Sequence, residues 1–411
     1  MKLSILHGSS EIGGSCVKLT SGRNTIIIDM GMPLYDKEGK PFDKKNAKTV
    51  LPAVPGLYNK PYVDAILVSH ALADHYGLDS YSAKEIPIYA GKGTSDLIMI
   101  SQLLDINKIE NSRFVEIQAG QNFKIGDFEI TPYMMDHSAF ESMAFYIKAG
   151  DKSIFYSGDF RAHGSRKWVF EKLTKEFNEK ADVLLLEGTL IGGEERENSS
   201  EPETEKRITE ELKKPFKGLT FASYSSQNID RFKSFFKACL RTKKTLVIDP
   251  YAAYILEYMP PNFPKYDWNN IKVYCVNNRH STAIFKNSKY KKFGRNKIKL
   301  EEIIQNPEKY VITDRYHIRK AFKPYLNKPK VIWSLWKGYL TEQKPFWDAY
   351  RAEIVQIHAS GHADEQTLQR LVKAVKPGII VPMHTQKPKL YEKVFAEQKI
   401  KICRDGEEIE I

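Results

Sequence analysis

The chain has ten histidines, and six of them fall in short segments that directly follow strand-like runs: His70, His75, His137, His358, His362 and His384. Several of these segments also hold carboxylates. Asp74 and His75 follow His70 within Ser69-His70-Ala71-Leu72-Ala73-Asp74-His75-Tyr76-Gly77; Asp136 precedes His137; Asp159 lies in Tyr156-Ser157-Gly158-Asp159-Phe160-Arg161. Imidazole nitrogens and carboxylate oxygens are the ligands of catalytic zinc or manganese. Residues this far apart share an ion only if loops at strand ends converge. A lone histidine reads as a core side chain; six in one strand–loop context point to a catalytic metal site that converges on a water.

The elements that must position these residues are legible in outline. Up to about residue 190 the chain alternates short apolar runs with turn residues. Leu3–Leu6 leads into the glycine-rich loop 8–14, which lacks the spacing of a nucleotide-binding loop and reads as a hairpin turn. Thr25–Asp29, Ala65–Val68, Phe128–Thr131, Ala144–Lys148, Ser153–Tyr156 and Val183–Leu186 read as strands, whereas 93–104 and 168–177 are helix candidates. From 191 the texture changes. A polar loop containing Asn198-Ser199-Ser200 leads to a helix at about 203–214. Strands at 220–223, 245–249, 271–275, 310–312 and 331–334 then alternate with helices, as in a doubly wound sheet. After 352 the first texture returns, with strands at 353–357 and 378–381, a helix at 364–376, and strand candidates at 400–402 and 407–411. The expected architecture is α/β: one layered domain formed by 1–190 and 353–411, with a second α/β domain inserted at 191–352.

Charge narrows the partner. The formal net charge is +12, but residues 211–350 alone carry +17, so the excess is local. Within 271–300 nine Lys/Arg occur with no Asp or Glu, interleaved with Tyr274, Phe285, Tyr290 and Phe293. Such a stripe suits a polyanion, because lysine and arginine release counterions from phosphates; a solvated lysine-rich face is the plainer reading. Cys16, Cys239, Cys275 and Cys403 are too scattered for a disulfide framework. No stretch approaches the ~18–20 apolar residues of a membrane span, and the N-terminus has no signal-peptide pattern. A cytoplasmic protein without membrane partners is expected. Trp333, Trp336, Trp347, Tyr339 and Tyr350 read as packing, with stacking on single strands as the other reading.

Here a resemblance becomes specific. Segment 69–77 resembles the His-x-His-x-Asp-His motif of the metallo-β-lactamase superfamily, with Asp29, His137 and Asp159 matching its other motifs in order. Leu185-Leu186-Glu187-Gly188-Thr189 resembles motif A of the β-CASP nucleases, His358-Ala359-Ser360-Gly361-His362-Ala363 their motif B, and Pro382-Met383-His384-Thr385 their motif C. Ser223-Tyr224-Ser225-Ser226-Gln227-Asn228 resembles the serine-rich turn of their inserted domain. The match runs from Gly8 to Lys387 and is nearest to ribonuclease J-type enzymes, with no separate C-terminal domain expected.

The resemblance implies an αββα metallo-β-lactamase sandwich carrying an α/β β-CASP insert, one or two Zn²⁺ ions or Mn²⁺, and RNA rather than DNA as substrate; a homodimer is admitted, not required. It implies that His70 and His137 hold one metal, that Asp74, His75 and His384 hold the other, and that Asp159 bridges them. Asp74 would also orient the attacking water. His362 would protonate the leaving oxygen, Glu187 would orient a histidine, and Asp29 would support the metal loops. Ser225, Ser226, His358, Ser360 and Gly361 would bind a substrate phosphate. For the serines a helix N-cap before 228, and for Glu187 a surface charge at a strand end, remain the plainer alternatives.

One position departs from the pattern. The second motif histidine is Leu72, which ligates nothing. Three readings follow: a one-metal enzyme, an enzyme with a weak second metal, or a silent nucleic-acid-binding member. Because every other motif residue survives, a working hydrolase is the expectation.

Overall fold

The computed structural model describes residues 1–103, 108–193, 200–276, 279–286, 294 and 296–411. Two sheets form the first domain. One runs in the order Glu408–Glu410, Lys2–His7, Cys16–Ser21, Asn24–Met30, Ala65–Leu67, Ile88–Gly91, Phe114–Ile117. The other runs Ile379–Met383, Val183–Glu187, Lys152–Tyr156, Met143–Ala149, Phe128–Met134, Phe123–Ile125. The continuous isoleucine run 26–28 shows why they stack. Ile26 and Ile28 point into the core between the sheets, with Leu67, Phe145, Ile154 and Leu185. Ile27 points the other way, into an outer layer with Ile66, Leu97 and Ile98. A strand covered on both faces needs no polar alternation. On the second sheet Leu185 faces inward, while Leu184 and Leu186 pack under the helices Lys167–Glu176 and Glu365–Val375. The result is a helix–sheet–sheet–helix sandwich.

The insert is a third sheet, wholly parallel: Ile271–Val273, Thr245–Ile248, Tyr310–Thr313, Thr220–Ser223, Lys330–Trp333, Glu353–Gln356. Its last strand corrects the expected boundary. Residues 353–356 pair in register with 330–333, so the insert extends past 352. One face of this sheet buries Phe221, Val247, Ile312 and Trp333. The other joins the outer layer of the first domain in one continuous apolar cluster, through Ala222, Leu246, Phe235 and Ile332. The insert therefore seats on the first domain by burying apolar area.

Local signals placed most ends. Ser200 caps the helix Glu201–Lys213 by accepting from Glu203 N, so it starts two residues before the expected 203. Asn228, not Ser225 or Ser226, caps Ile229–Arg241. The first helix candidate is Lys92–Ser101, with Leu104 outside the described residues. Segment 400–402 forms only an isolated bridge, Ile380 to Ile400. Asn198 and Ser199 lie outside the described residues, as do Tyr290, Phe293 and the Phe285 side chain of the basic stripe. Among the described residues no helix is long and apolar enough to cross a membrane.

Candidate metal centre

The histidines and carboxylates stand where strands of both sheets end. Asp29 closes the strand Asn24–Met30 with a left-handed backbone (φ 54°), a strained conformation for a non-glycine residue. Its carboxylate accepts from Ser69 N and Ser69 Oγ at 2.7 Å, from His75 Nδ1 at 2.7 Å and from Tyr156 Oη at 2.6 Å. This single buried group ties the loop 69–77 to both sheets and leaves His75 Nε2 facing the centre.

Six side chains converge there. His75 Nε2 lies 3.1 Å from Asp159 Oδ2, and His70 Nε2 lies 3.7 Å from the same oxygen. His384 Nε2 is 3.4 Å from Asp74 Oδ2 and 3.6 Å from Asp159 Oδ2. The rings of His70 and His137 are 4.8 Å apart. Two donor sets result, each compact enough for one ion: Asp74, His75, Asp159 and His384, and His70, His137 and Asp159. Leu72 is half-buried and contributes no ligand to either set. Its backbone still builds the turn, since its carbonyl accepts from His75 N at 2.9 Å.

Neighbouring groups orient the rings. His137 Nδ1 donates to the Gly361 carbonyl at 2.6 Å, and His384 Nδ1 meets Thr189 Oγ1 at 2.9 Å. Both leave Nε2 for the centre, the arrangement typical of metal-bound histidine. His384 adopts φ 50° and is fixed by its N–H donating to the Gly8 carbonyl at 2.7 Å, so the first hairpin loop buttresses the site. Gly361 packs closely on the centre: a Cβ there would lie 2.7 Å from Ser138 Oγ and 3.1 Å from the His137 ring, so one of them would have to shift.

These residues fit a divalent cation. His70 Nε2 and Asp159 Oδ1 are buried yet have no hydrogen-bond partner among the described residues. Such orphans are costly unless something else satisfies them. Charge points the same way. Burial works against ionised Asp74, but the hydrogen bond from His384 and the charges of His75 and His384 hold its pKa at about 2. Burial, with His75 alongside, lowers His70 to about 3, so the ring is neutral and one of its nitrogens keeps a lone pair.

A second pair flanks the cluster. Glu187 is buried, and its carboxylate accepts from Thr189 N at 3.0 Å, Ala363 N at 3.3 Å and Phe160 N at 3.4 Å. Its Oε1 lies 3.4 Å from His362 Nδ1. Burial disfavours the imidazolium, but Glu187 and then Asp159 outweigh it and raise His362 to about 9. The plain alternative, a strand-end surface charge, does not hold for Glu187.

The residues expected to bind phosphate separate into two groups. Ser225 and Ser226 line an interdomain cavity of about 420 Å³, together with Lys44, Tyr76, Arg315 and His317. His358, Ser360 and Gly361 are not in that lining. His358 Nδ1 lies 3.2 Å from the Ser334 carbonyl, and Ser360 Oγ accepts from His362 N at 3.1 Å. Burial, with Arg231 nearby, lowers His358 to about 3. Sequence reasoning missed Arg315, which donates to Ser226 Oγ and to the Tyr224 carbonyl. It also missed the buried Arg161, Glu201 and Arg231, which bond the insert to segment 358–362. Arg161 Nη1 donates to the Ser360 carbonyl at 2.9 Å, Arg231 Nη2 to the Ala359 carbonyl at 3.0 Å, and Glu201 joins the two arginines. Arg161 ends a segment quoted for Asp159, but nothing in the local pattern marked it, Glu201 or Arg231 as buried.

The fold and cluster define a metallo-β-lactamase-type αββα domain with an α/β insert of the β-CASP kind. Residues 39–216 match the beta-lactamase superfamily domain, and residues 349–399 match the Zn-dependent metallo-hydrolase RNA specificity domain. Within that class the chain is similar to ribonuclease J of Helicobacter pylori (strain ATCC 700392 / 26695). The two are 22% identical over 450 residues, a match covering all of this chain and 61% of that protein. The chain thus spans about three-fifths of the length of that relative. It is 23% identical over 417 residues to an RNase J-like protein of Methanocaldococcus jannaschii, covering 92% of this chain and 91% of that one. A crystal structure of a protein of unknown function from Enterococcus faecalis V583 superposes with a TM-score of 0.81 at 20% identity, over 99% of both chains. That last likeness shows the fold.

Proposed function

We propose that the chain is a metal-dependent phosphodiester hydrolase of the β-CASP type that acts on RNA. The observation that carries this reading is the convergence of two metal-sized donor sets on Asp159, with His362 Nδ1 3.4 Å from Glu187 alongside. A divalent cation bound there supplies Lewis acidity toward a water and toward the phosphodiester oxygens. Asp74 would help hold the ion and would orient the attacking water by hydrogen bonding. His362 carries the proton for the departing oxygen: Glu187 holds its Nδ1 side, and Nε2 lies on the opposite side of the ring. Lys44, Arg315, Ser225 and Ser226 offer cations and hydroxyls to the phosphates of a strand running between the domains. The complete set, Asp74, His75, Asp159 and His384, is the tight site; the Leu72 side is the weak one. The same chemistry supports zinc first and manganese second.

The test is cleavage of end-labelled single-stranded RNA and DNA with Zn²⁺ or Mn²⁺. RNA cleavage that disappears in Asp74→Ala while RNA binding persists is the expected result. Undiminished cleavage in that variant overturns the assignment.

Leu72 favours one second reading, a binding member without turnover. In that case the wild type holds RNA uncut and only Leu72→His cleaves. Turnover of a small ester without cleavage of any nucleic acid would move the assignment to a small-molecule hydrolase.

A further inference from the structure

The six strands of the insert run parallel, so their carboxyl ends all face one way and their entrances the other. Near the carboxyl ends stand Ser225, Ser226, Asp249 and Arg315, which line the interdomain cavity. Parallel α/β sheets bind their ligands at that end. The entrances have a different character. Five neighbouring strands, 245–248, 310–313, 220–223, 330–333 and 353–356, are entered through the segments 242–244, 306–309, 213–219, 326–329 and 350–352. Together these five segments hold eight Lys/Arg and a single acid, Glu308.

The cations form a row. Lys243, Lys309, Lys217, Lys328 and Arg351 follow one another across adjacent strands, and all five are exposed. Strands lie about 4.8 Å apart, so the row is roughly 19 Å long. That is the length of about five or six phosphates of one strand, at about 3.4 Å each along a helix axis. None of the five has an ion pair among the described residues. Three of them, Lys243, Lys328 and Arg351, hold φ at 55°, 44° and 52°, where glycine is less strained. Beside Lys217 the row hollows out: Lys213, Lys217, Lys244 and Phe216 line a depression of about 460 Å³. The buried acid there, Glu211, is spent inside the fold, on Lys214 at 2.5 Å and on Lys330. The Lys330 ammonium in turn lies 5.0 Å from the centre of the Phe216 ring. Helix carbonyl ends at this edge favour single cations. They give no reason to leave five unpaired ones side by side, where they repel one another.

We propose that this edge of the insert is a second phosphate-binding surface, which grips the backbone of a nucleic acid at a distance from the interdomain cavity. The two ends of a four-residue strand are about 13 Å apart, so one long strand can occupy both. The grip is by charge: lysine and arginine release the counterions of the phosphates and read no bases. The surface binds whether or not the metal centre cleaves, and so goes beyond the function proposed above. A short substrate meets only the cavity, whereas a long one gains the row as an anchor.

The test removes three neighbouring charges at once, in the triple variant Lys217→Gln, Lys309→Gln, Lys328→Gln. Binding of a labelled forty-nucleotide single-stranded RNA is followed against salt, in the Asp74→Ala background to suppress cleavage. The triple variant should weaken binding about 10- to 100-fold at about 0.1 M salt and lower the slope of log K against log salt by about two to three. A matched control on the first domain, Lys124→Gln, Lys167→Gln, Lys175→Gln, removes the same charge and should leave both nearly unchanged. With Asp74 intact, the first triple variant should slow cleavage of the forty-nucleotide RNA at low concentration and leave that of a ten-nucleotide RNA unchanged. An equal effect of the two triple variants, or none from the first, overturns the surface. A polyglutamate of equal charge that binds as tightly as the RNA, with the same loss in the first triple variant, assigns the edge to an acidic protein and overturns the nucleic-acid surface. The nuclease reading fails separately: a wild type that cleaves neither RNA but shows the same difference in slope leaves the surface standing.

Discussion

Two clusters of buried charge lie within a few residues of each other, and they are satisfied in opposite ways. Around Arg161 and Arg231 the protein supplies every partner. Arg161 Nη2 meets Asp230 at 2.8 Å, Arg231 Nη2 meets Glu201 at 2.8 Å, and the carbonyls of Ser334, Ala359 and Ser360 take the remaining guanidinium N–H groups. Around Asp159, donor atoms point at a common centre and some have no partner at all. The two clusters even share segments: Asp136 belongs to the first and His137 to the second, as do Arg161 and Asp159. A buried charge network closed on itself holds parts together. One left open at its centre is built around something the chain does not itself provide.

The comparison breaks first at Asp159. Asp159→Ala should lower RNA cleavage by about a thousandfold or more, because both donor sets lose their shared ligand. It should also abolish the rise in melting temperature on adding Zn²⁺. Near-normal cleavage would mean that the open cluster is not the catalytic centre.

Glu201→Gln should act on the closed cluster instead. It leaves two buried guanidinium groups short of charge and should cost about 3–5 kcal/mol in urea unfolding of metal-free protein. An effect below about 1 kcal/mol would show that the arginines find other partners.

Acid sharpens the same point. Burial works against ionised Glu201, yet Arg231 and Arg161 hold it at about 2, below its usual 4.5. A depressed carboxyl contributes stability that is present above the unfolded value and is lost as pH falls through the folded one. Metal-free wild type should therefore lose this stability between pH 4.5 and about 2, whereas Glu201→Gln shows a shallower acid limb in pH-dependent urea melts.

Leu72→His should raise the bound zinc from about one ion per chain towards two, read by metal analysis after dialysis. Equal metal content would mean that His70, His137 and Asp159 already hold a full ion.

The smallest effect is expected at Asp79, a buried carboxylate with neither kind of compensation. Both its oxygens lack partners among the described residues, and burial, then Asp29, pushes its pKa well above the usual value while Arg113 opposes the shift. The folded chain thus keeps a proton that the unfolded chain releases, so wild-type stability falls as pH rises above about 4. Asp79→Asn should remove that decline and gain about 1–2 kcal/mol at pH 8 relative to pH 5 in chemical melts. Parallel pH profiles would show that Asp79 is compensated after all.

How much was legible in the sequence differed between the two clusters. His70, Asp74 and His75 lie within a stretch of six residues, and His137, Asp159 and His384 each follow an apolar run, so local pattern alone marked them. Arg161, Glu201 and Arg231 carried no such mark. Any arginine on an amphipathic helix reads as a surface charge until its partners, dozens to nearly two hundred residues away, are known. The tryptophans behaved likewise: Trp333 and Trp336 are three residues apart, yet one is core and one is open to solvent. Strand 353–356 read as a return to the first domain because hydrogen-bond partners are not written in its residues.

The sequence by itself marked the α/β alternation and the histidines and carboxylates at strand ends, because periodicity and spacing are local quantities; Leu72 stands out only against the motif the chain resembles. Only the tertiary structure decided that the phosphate-binding candidates divide between an open cavity and a closed network, that Glu187 is a buried brace, and that Trp336 lies open to solvent while Trp333 is core. Burial and partner choice are set by long-range packing, and no local pattern encodes which side of a loop the rest of the chain will cover.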